Sequence, residues 1–525
     1  MAPNLRRGGT VQRTAISESA HYSPMRVKVP KFQRALVAIL SCVLLLAQGT
    51  MAFAQAEPEL PDIGNPAGSI LSMDDEYRIG LMIMKELRDQ NMIVEDPEVT
   101  EYIQGIGSRL AAQANPEGQH HFQYFVVRDS AINAFALPGG FIGVNYGTIL
   151  SSTSESQLAG VLAHETAHVT QRHIARAIQA ESRQSIATAA AMLAAILIGA
   201  VGGGGASVVE GGVAAAQGIA AQQQINFTRD NEFEADRVGM SYLSRAGFDP
   251  RGMPDFFETL GRRYGYAESR VPKMLLDHPV TSERIAEARS RAAQMERPKK
   301  LTDTLGYSLI RERLRVITAT QDYDIRGYYT RRLEVRNPPL ADQYGQALAM
   351  LERGHPTEAT EVLEPLVQQN QGVILLHSAL GQAQIASGQF QDGLNTFAHA
   401  ETLFPRNVPL SVRYGEALIK AGQPKEAHAL LLDLFNNVAP TPEQIRLTAQ
   451  AASASGDVGD AYYYMSEYQI TSGNLPLAGH QLELALASPH LTTVQRERFQ
   501  ARLDEIREFL ASQRRAQRER QTANN

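Results

Sequence analysis

His164 and His168, in the run Leu162-Ala163-His164-Glu165-Thr166-Ala167-His168, lie four residues apart. On a helix that spacing puts both imidazoles on one face, close enough to grip a single cation. Neutral imidazoles suit Zn2+, and a catalytic zinc centre needs three protein ligands with one position left for water. Glu165 points about 100° around the same helix. There it reaches the attacking water rather than the metal, as a general base. Alone, the pattern also fits an ordinary helix with two surface histidines. What lifts it is a third ligand, and Glu232 in Glu232-Phe233-Glu234-Ala235-Asp236 can complete a His-His-Glu set. Asp236, four residues on and on the same face, is placed to hold a ligand imidazole from behind. The expected centre is one Zn2+ per chain on His164, His168 and Glu232, with Glu165 and Asp236 as catalytic residues.

These groups need two helices to carry them. Ser154 and Gln157 read as a capping box for the first, with Leu158, Val161 and Leu162 as its apolar stripe. The second runs from about Arg229 to Ala246 and is closed by Gly247. Ahead of them, helices are expected from Ser72 to about Gln90 and from about Pro97 to Gln113. Strands follow at 122–127, 134–137 and 141–144, the last two around Pro138-Gly139-Gly140. His278 before Pro279 reads as the turn ahead of a further helix. His173 falls roughly 140° from the His168 face by helix geometry, and His120 and His121 sit in a polar loop, so all three rank below it.

The HExxH run followed by Glu232-x-x-Ala235-Asp236 resembles the HtpX-like membrane-linked zinc peptidases. The stretch 133–140 resembles the segment just before the zinc helix in that family, where the edge strand of a small sheet lies over the metal. The resemblance implies that Phe135, Ala136 and Leu137 bind an extended substrate by main-chain hydrogen bonds. A plain hairpin in the core is the other reading. His278-Pro279-x4-Arg284-Ile285 is a recurring family element, and in a soluble periplasmic member this histidine can take the open zinc position. That implies a regulatory fourth-ligand role for His278, as a latch. Arg284 either orients the oxyanion or supports its helix, and the second reading is favoured.

From Tyr344 the chain repeats. Gly354, Gly388, Gly422 and Gly456 recur every 34 residues, with small residues seven before (Ala347, Gly381, Gly415, Ala449) and five after (Ala359, Gly393, Ala427, Ala461). Leu363, Phe397, Leu431 and Met465 complete the register of a tetratricopeptide array, a solenoid of helix pairs with a concave binding surface. Helices 475–487 and 493–511 are expected to cap it.

Arg26, Lys28, Lys31 and Arg34 precede an apolar stretch from Ala35 to Ala47 and an Ala52-Phe53-Ala54 cleavage signature, so 1–54 reads as a signal peptide. The alternative is an uncleaved anchor. Those residues hold seven basic and one acidic side chain, so their removal takes the formal net charge from −6 to −12. An acidic mature chain argues against nucleic acid. Cys42, the single cysteine, leaves with the signal, so no disulfide follows. Between the ligand helices, 186–221 is Ala- and Gly-rich. It reads as a helical hairpin or flap, or as a buried hairpin without a gating role. Contact with a membrane surface is a further, weaker reading, because the segment lacks the charged face of an interfacial helix.

The expected fold is mainly α (α+β): a gluzincin-like metallopeptidase domain with a small β-sheet over 57–300, a linker helix region over 301–339 and a TPR α-solenoid over 340–512. A disordered tail is expected over 513–525. Signal, peptidase and repeats in this order resemble the periplasmic family members that act in outer-membrane quality control. The resemblance implies a zinc-dependent endopeptidase in the periplasm of a Gram-negative bacterium. It would assist assembly of outer-membrane β-barrel proteins and degrade misassembled ones, docking on the assembly machinery through its repeats. The rival is a non-proteolytic TPR chaperone or scaffold with structural zinc. Glu165 argues against it, since a structural site needs no base.

Overall fold

The structure is a computed structural model that describes residues 72–115, 118, 120–176, 229–264, 278–298 and 304–523. The expectations for the signal peptide (1–54) and the Ala/Gly-rich segment (186–221) lie outside these residues. Helix α1 (Met73–Asp89) starts where the Ser72 side chain accepts the Asp75 N–H, and three acidic residues fill its first turn. Asp96 caps α2 (Pro97–Ala114) in the same way, with proline at the start of the helix.

Strands β1 (Gln123–Val127), β2 (Ala134–Leu137) and β3 (Phe141–Asn145) follow. They form one sheet in the order β1-β3-β2. β2 and β3 are the expected antiparallel pair, with Phe135 opposite Gly143. β1 lies on the far side of β3 and runs parallel to it, Tyr124 opposite Ile142. Among the described residues β2 is therefore an edge strand.

A short α3 (Tyr146–Ser151) leads into α4 (Glu155–Thr170), the expected HExxH helix. The Ser154 hydroxyl accepts the Gln157 N–H. The return bond differs from a capping box, because Gln157 Oε1 takes the Thr153 N–H instead of that of Ser154. Leu158, Val161 and Leu162 are buried, but so is nearly every other residue of α4. The helix is enclosed by α2, β2, β3, α5 (Arg229–Arg245) and α6 (Gly252–Tyr264) rather than lying on a surface. Tyr124 on β1 reaches in to place its hydroxyl 2.9 Å from Thr166 Oγ1. On α5, a Cβ at Gly239 would stand 2.7 Å from the Ala163 carbonyl oxygen, so only glycine permits this approach of the two backbones. That contact brings the acidic start of α5 beside the histidines of α4.

Helix α7 (Ser282–Gln294) packs on α5 and α6. Next come α8 (Leu305–Ile317) and α9 (Ile325–Arg332). The solenoid pairs α10 (Leu340–Glu352) with α11 (Pro356–Gln369), and α12 (Ile374–Ala386) with α13 (Phe390–Leu403). It continues with α14 (Val408–Lys420) and α15 (Pro424–Phe435), then α16 (Pro442–Ser455) and α17 (Val458–Thr471). Gly354, Gly388, Gly422 and Gly456 turn each pair at φ between 77° and 88°, the left-handed region that ends a helix at glycine. A Cβ on Gly381 would meet the Phe397 ring at 2.5 Å, the small-against-bulky pairing expected from the repeat.

Helix α18 (Leu475–Ala487) matches the first expected cap, but α19 runs from Thr493 to Ala523. The expected disordered tail is corrected, since helix continues through most of it. No Gly or Pro interrupts this Ala-, Arg-, Gln- and Glu-rich stretch, whose residues favour helix.

Helix α8 joins the two halves instead of only linking them. Its Tyr307, Ile310 and Leu314 enter the core around α4, while Leu309 and Val316 enter the first repeat core. Arg313 forks onto Asp96 at 2.7 and 2.8 Å. Arg413 of α14 adds contacts of 2.8 Å to Asp96 and 2.9 Å to Glu98. Charges this buried are tolerable only when paired and hydrogen-bonded, so the network fixes where the repeats meet the catalytic half. Among the described residues, no helix is long and apolar enough to cross a membrane.

Candidate metal centre

His164, His168, Glu232 and His278 are buried together, with one ligating atom of each within 4.8 Å of the others. The two Nε2 atoms of His164 and His168 stand 3.0 Å apart. Glu232, two turns ahead of Gly239, reaches across from α5 to 3.4 Å from His164 Nε2 and 3.5 Å from His168 Nε2. Glu165, fully buried, lies with an oxygen 3.7 Å from His278 Nε2. His278 arrives from the turn before α7, as expected, and sets its Nδ1 2.9 Å from Glu232 Oε1.

Asp236 stands 3.0 Å from His164 Nδ1. Arg284 is buried, and its contacts support its helix. It forks onto Asp236 at 2.7 and 2.8 Å, reaches Glu232 at 2.7 Å and donates to the Pro279 carbonyl. It thus ties α5 to the turn that carries His278. Phe135, Ala136 and Leu137 lie on the β2 edge that packs against α4.

The donor set fits a cation. Burial penalises a charged His164, yet the Asp236 and Glu232 carboxylates outweigh that penalty and lift its pKa to about 10. Burial and the neighbouring His164 charge hold His168 well below the usual imidazole range. The Glu232 carboxyl, which burial alone would raise, is held well below the ordinary range by His278 and His164. The cluster thus favours one positive charge where the two imidazoles meet, and a divalent cation on two nitrogens and a carboxylate would supply it.

One residue set aside on sequence belongs here. α4 ends at Thr170, and Arg172 adopts φ 51°, so the chain leaves helical geometry before His173. The 140° offset applies only to a continuing helix. His173 is instead fully buried with its Nδ1 2.9 Å from His168 Nδ1. Its Nε2 lies 3.1 Å from Glu234 Oε2, which Arg176 also holds at 2.8 Å. Burial pushes the His173 ring down to about 4, so it is neutral. The signal for this residue was the end of the helix, which no capping glycine or proline marks.

Two imidazoles one helical turn apart, a carboxylate from a second helix and an adjacent glutamate define a metallopeptidase of the HExxH class. Residues 97–292 match the profile of Peptidase family M48, and residues 384–451 match that of a tetratricopeptide repeat. The Beta-barrel assembly-enhancing protease of Escherichia coli (strain K12) is 33% identical over 489 residues, covering 91% of this chain and 97% of that protein. A Vibrio cholerae relative is 35% identical over 476 residues, 89% of this chain and 96% of its own. The Mitochondrial metalloendopeptidase OMA1 of Schizosaccharomyces pombe is 30% identical over 221 residues, 41% of this chain and 60% of that one. The chain therefore belongs to the beta-barrel assembly-enhancing protease family of M48 metallopeptidases. It is a metalloendopeptidase with a repeat solenoid, and the scaffold reading yields to the peptidase one.

Proposed function

We propose that this chain is a periplasmic endopeptidase that holds one Zn2+ on His164, His168 and Glu232 and acts on outer-membrane β-barrel proteins. It would assist their assembly and degrade those that stall. The observation that carries the reading is the convergence of these three residues with Glu165 in one buried cluster. Zn2+ bound there would act as a Lewis acid on the scissile carbonyl.

The chain's own groups do the rest. Glu165 takes a proton from the attacking water and returns it to the leaving amine. Asp236, locked by Arg284, keeps His164 oriented with its Nε2 toward the cluster. The β2 edge, Phe135 to Leu137, offers main-chain donors and acceptors to an extended peptide. Unassembled barrel strands, whose backbone is unpaired, have that chemistry. His278 closes over the site as a latch and must leave for substrate to enter.

Residues 57–300 form the catalytic domain and 340–512 the docking solenoid, with 1–54 directing export. A cleft of about 520 Å³ opens between α1, β1, α14 and α16, with Arg88, Glu95, Lys420 and Glu443 on its walls. It gives the barrel-assembly machinery, or a chain on its way to the active site, a surface shared by both domains. The discriminating experiment is Glu165→Gln, assayed for casein digestion with zinc content measured in parallel. Full zinc with no digestion is expected, and digestion at the unaltered rate overturns the assignment of the base.

A further inference from the structure

The outer nitrogens of the two ligand imidazoles are held differently. His164 Nδ1 meets the Asp236 carboxylate directly, at 3.0 Å. His168 Nδ1 meets another imidazole, His173, at 2.9 Å, and a carboxylate enters only one step further out, at Glu234. Glu234 and Asp236 both come from α5, and each is gripped by an arginine, Arg176 and Arg284 respectively.

Two Nδ1 atoms at that distance share one hydrogen, and the order of partners decides which ring carries it. Glu234 is ionised and only accepts, so His173 Nε2 must donate to it. A neutral ring with its hydrogen on Nε2 has a bare Nδ1, which accepts. His168 Nδ1 is then the donor, and its Nε2 turns its lone pair toward His164 and Glu232.

We propose that His173, oriented by Glu234, is a positioning residue that sets the ring tautomer of His168 and so makes it a competent metal ligand. The inference rests on the metal-site reading above. It assigns His173 no contact with substrate. It also explains why a fully buried histidine lies past the end of α4, because the left-handed Arg172 folds it back beneath His168. That turn is itself anchored, since Arg172 ion-pairs with Glu76 of α1.

The test uses the full-length protein stripped of metal and titrated with Zn2+ against a chromophoric chelator. His173→Phe keeps the ring volume but removes the acceptor, and an affinity loss of about 10- to 100-fold is expected, as for other outer partners of metal ligands. His173→Asn places an amide oxygen where Nδ1 stood and should recover most of that affinity, which a purely space-filling role would not predict. Zn2+ affinity of His173→Phe within twofold of the parent overturns the inference. So does an equal loss in both variants with unchanged melting of the metal-free proteins.

Should His173→Phe fail to fold, long-range 1H–15N spectra of the unaltered, histidine-labelled, Zn2+-loaded protein decide the matter. A coupling across the hydrogen bond from His168 Nδ1 to His173 Nδ1, with the His173 hydrogen on Nε2, bears the inference out, and a missing coupling or metal bound at His168 Nδ1 overturns it. A parent protein that binds no Zn2+ at all would sink the metal-site reading itself, an outcome distinct from failure of the His173 variants.

Discussion

His278 Nδ1 stands 2.9 Å from Glu232 Oε1 while its Nε2 is 3.7 Å from Glu165 Oε1, so one imidazole spans the two carboxylates proposed as third ligand and general base. A group in that position excludes water from the place where water must attack. His278→Ala is therefore expected to keep zinc and raise basal proteolysis. Lower turnover at unchanged melting temperature would mean that the imidazole serves the transition state. A lowered melting temperature with unchanged kinetics would leave it only the role of a helix-start residue.

Glu232→Gln should weaken zinc binding as well as turnover, because a neutral amide is a poor ligand beside a carboxylate. The loss should exceed the about 10- to 100-fold typical of outer partners, measured by chelator competition. Zinc occupancy that survives with only turnover reduced would move the third ligand elsewhere. Glu234 is excluded from that role, because it faces His173 and Arg176.

Arg413→Ala should destabilise the seam between the solenoid and the catalytic half. Asp96 and Glu98 are buried and share Arg313 and Arg413 as their arginine partners. Removing one member of a buried ion network costs about 3 kcal/mol, because the opposite charge stays behind. The urea midpoint of the full chain should fall accordingly, with zinc affinity unchanged. An unaltered midpoint would show the network to be energetically neutral.

Glu95 on the catalytic half faces Glu443 on α16 across the cleft. Burial and the Glu443 charge push its carboxyl up to about 7, against the pull of Arg88 and Arg446. The folded chain thus keeps a proton that the unfolded chain releases near the ordinary value of 4.5. The pair contributes its stability fully below that value and loses it as pH rises through about 7. Glu95→Gln should flatten the change in urea midpoint between about pH 5 and pH 8. An unchanged slope would remove Glu95 from the titration.

Much of this protein was written locally. The His164–His168 spacing needs only 3.6 residues per turn, and the 34-residue glycine period needs only a left-handed residue after each helix. The caps at Ser72 and Ser154 and the hairpin around Gly139 are likewise short-range chemistry. Motif spacing also singled out Glu232, although nothing local says that α5 must approach α4 at Gly239 for it to reach.

Tertiary structure alone decided the rest. The parallel addition of β1 to β3 depends on pairing between separated segments. The division of α8 between two cores, and the meeting of Asp96 with Arg413 more than 300 residues away, depend on packing between domains. His173 shows the boundary most plainly. Helical periodicity carries position only as far as the helix lasts, and beyond Thr170 its place beneath His168 was set by Arg172 on Glu76 and by Glu234 from another helix.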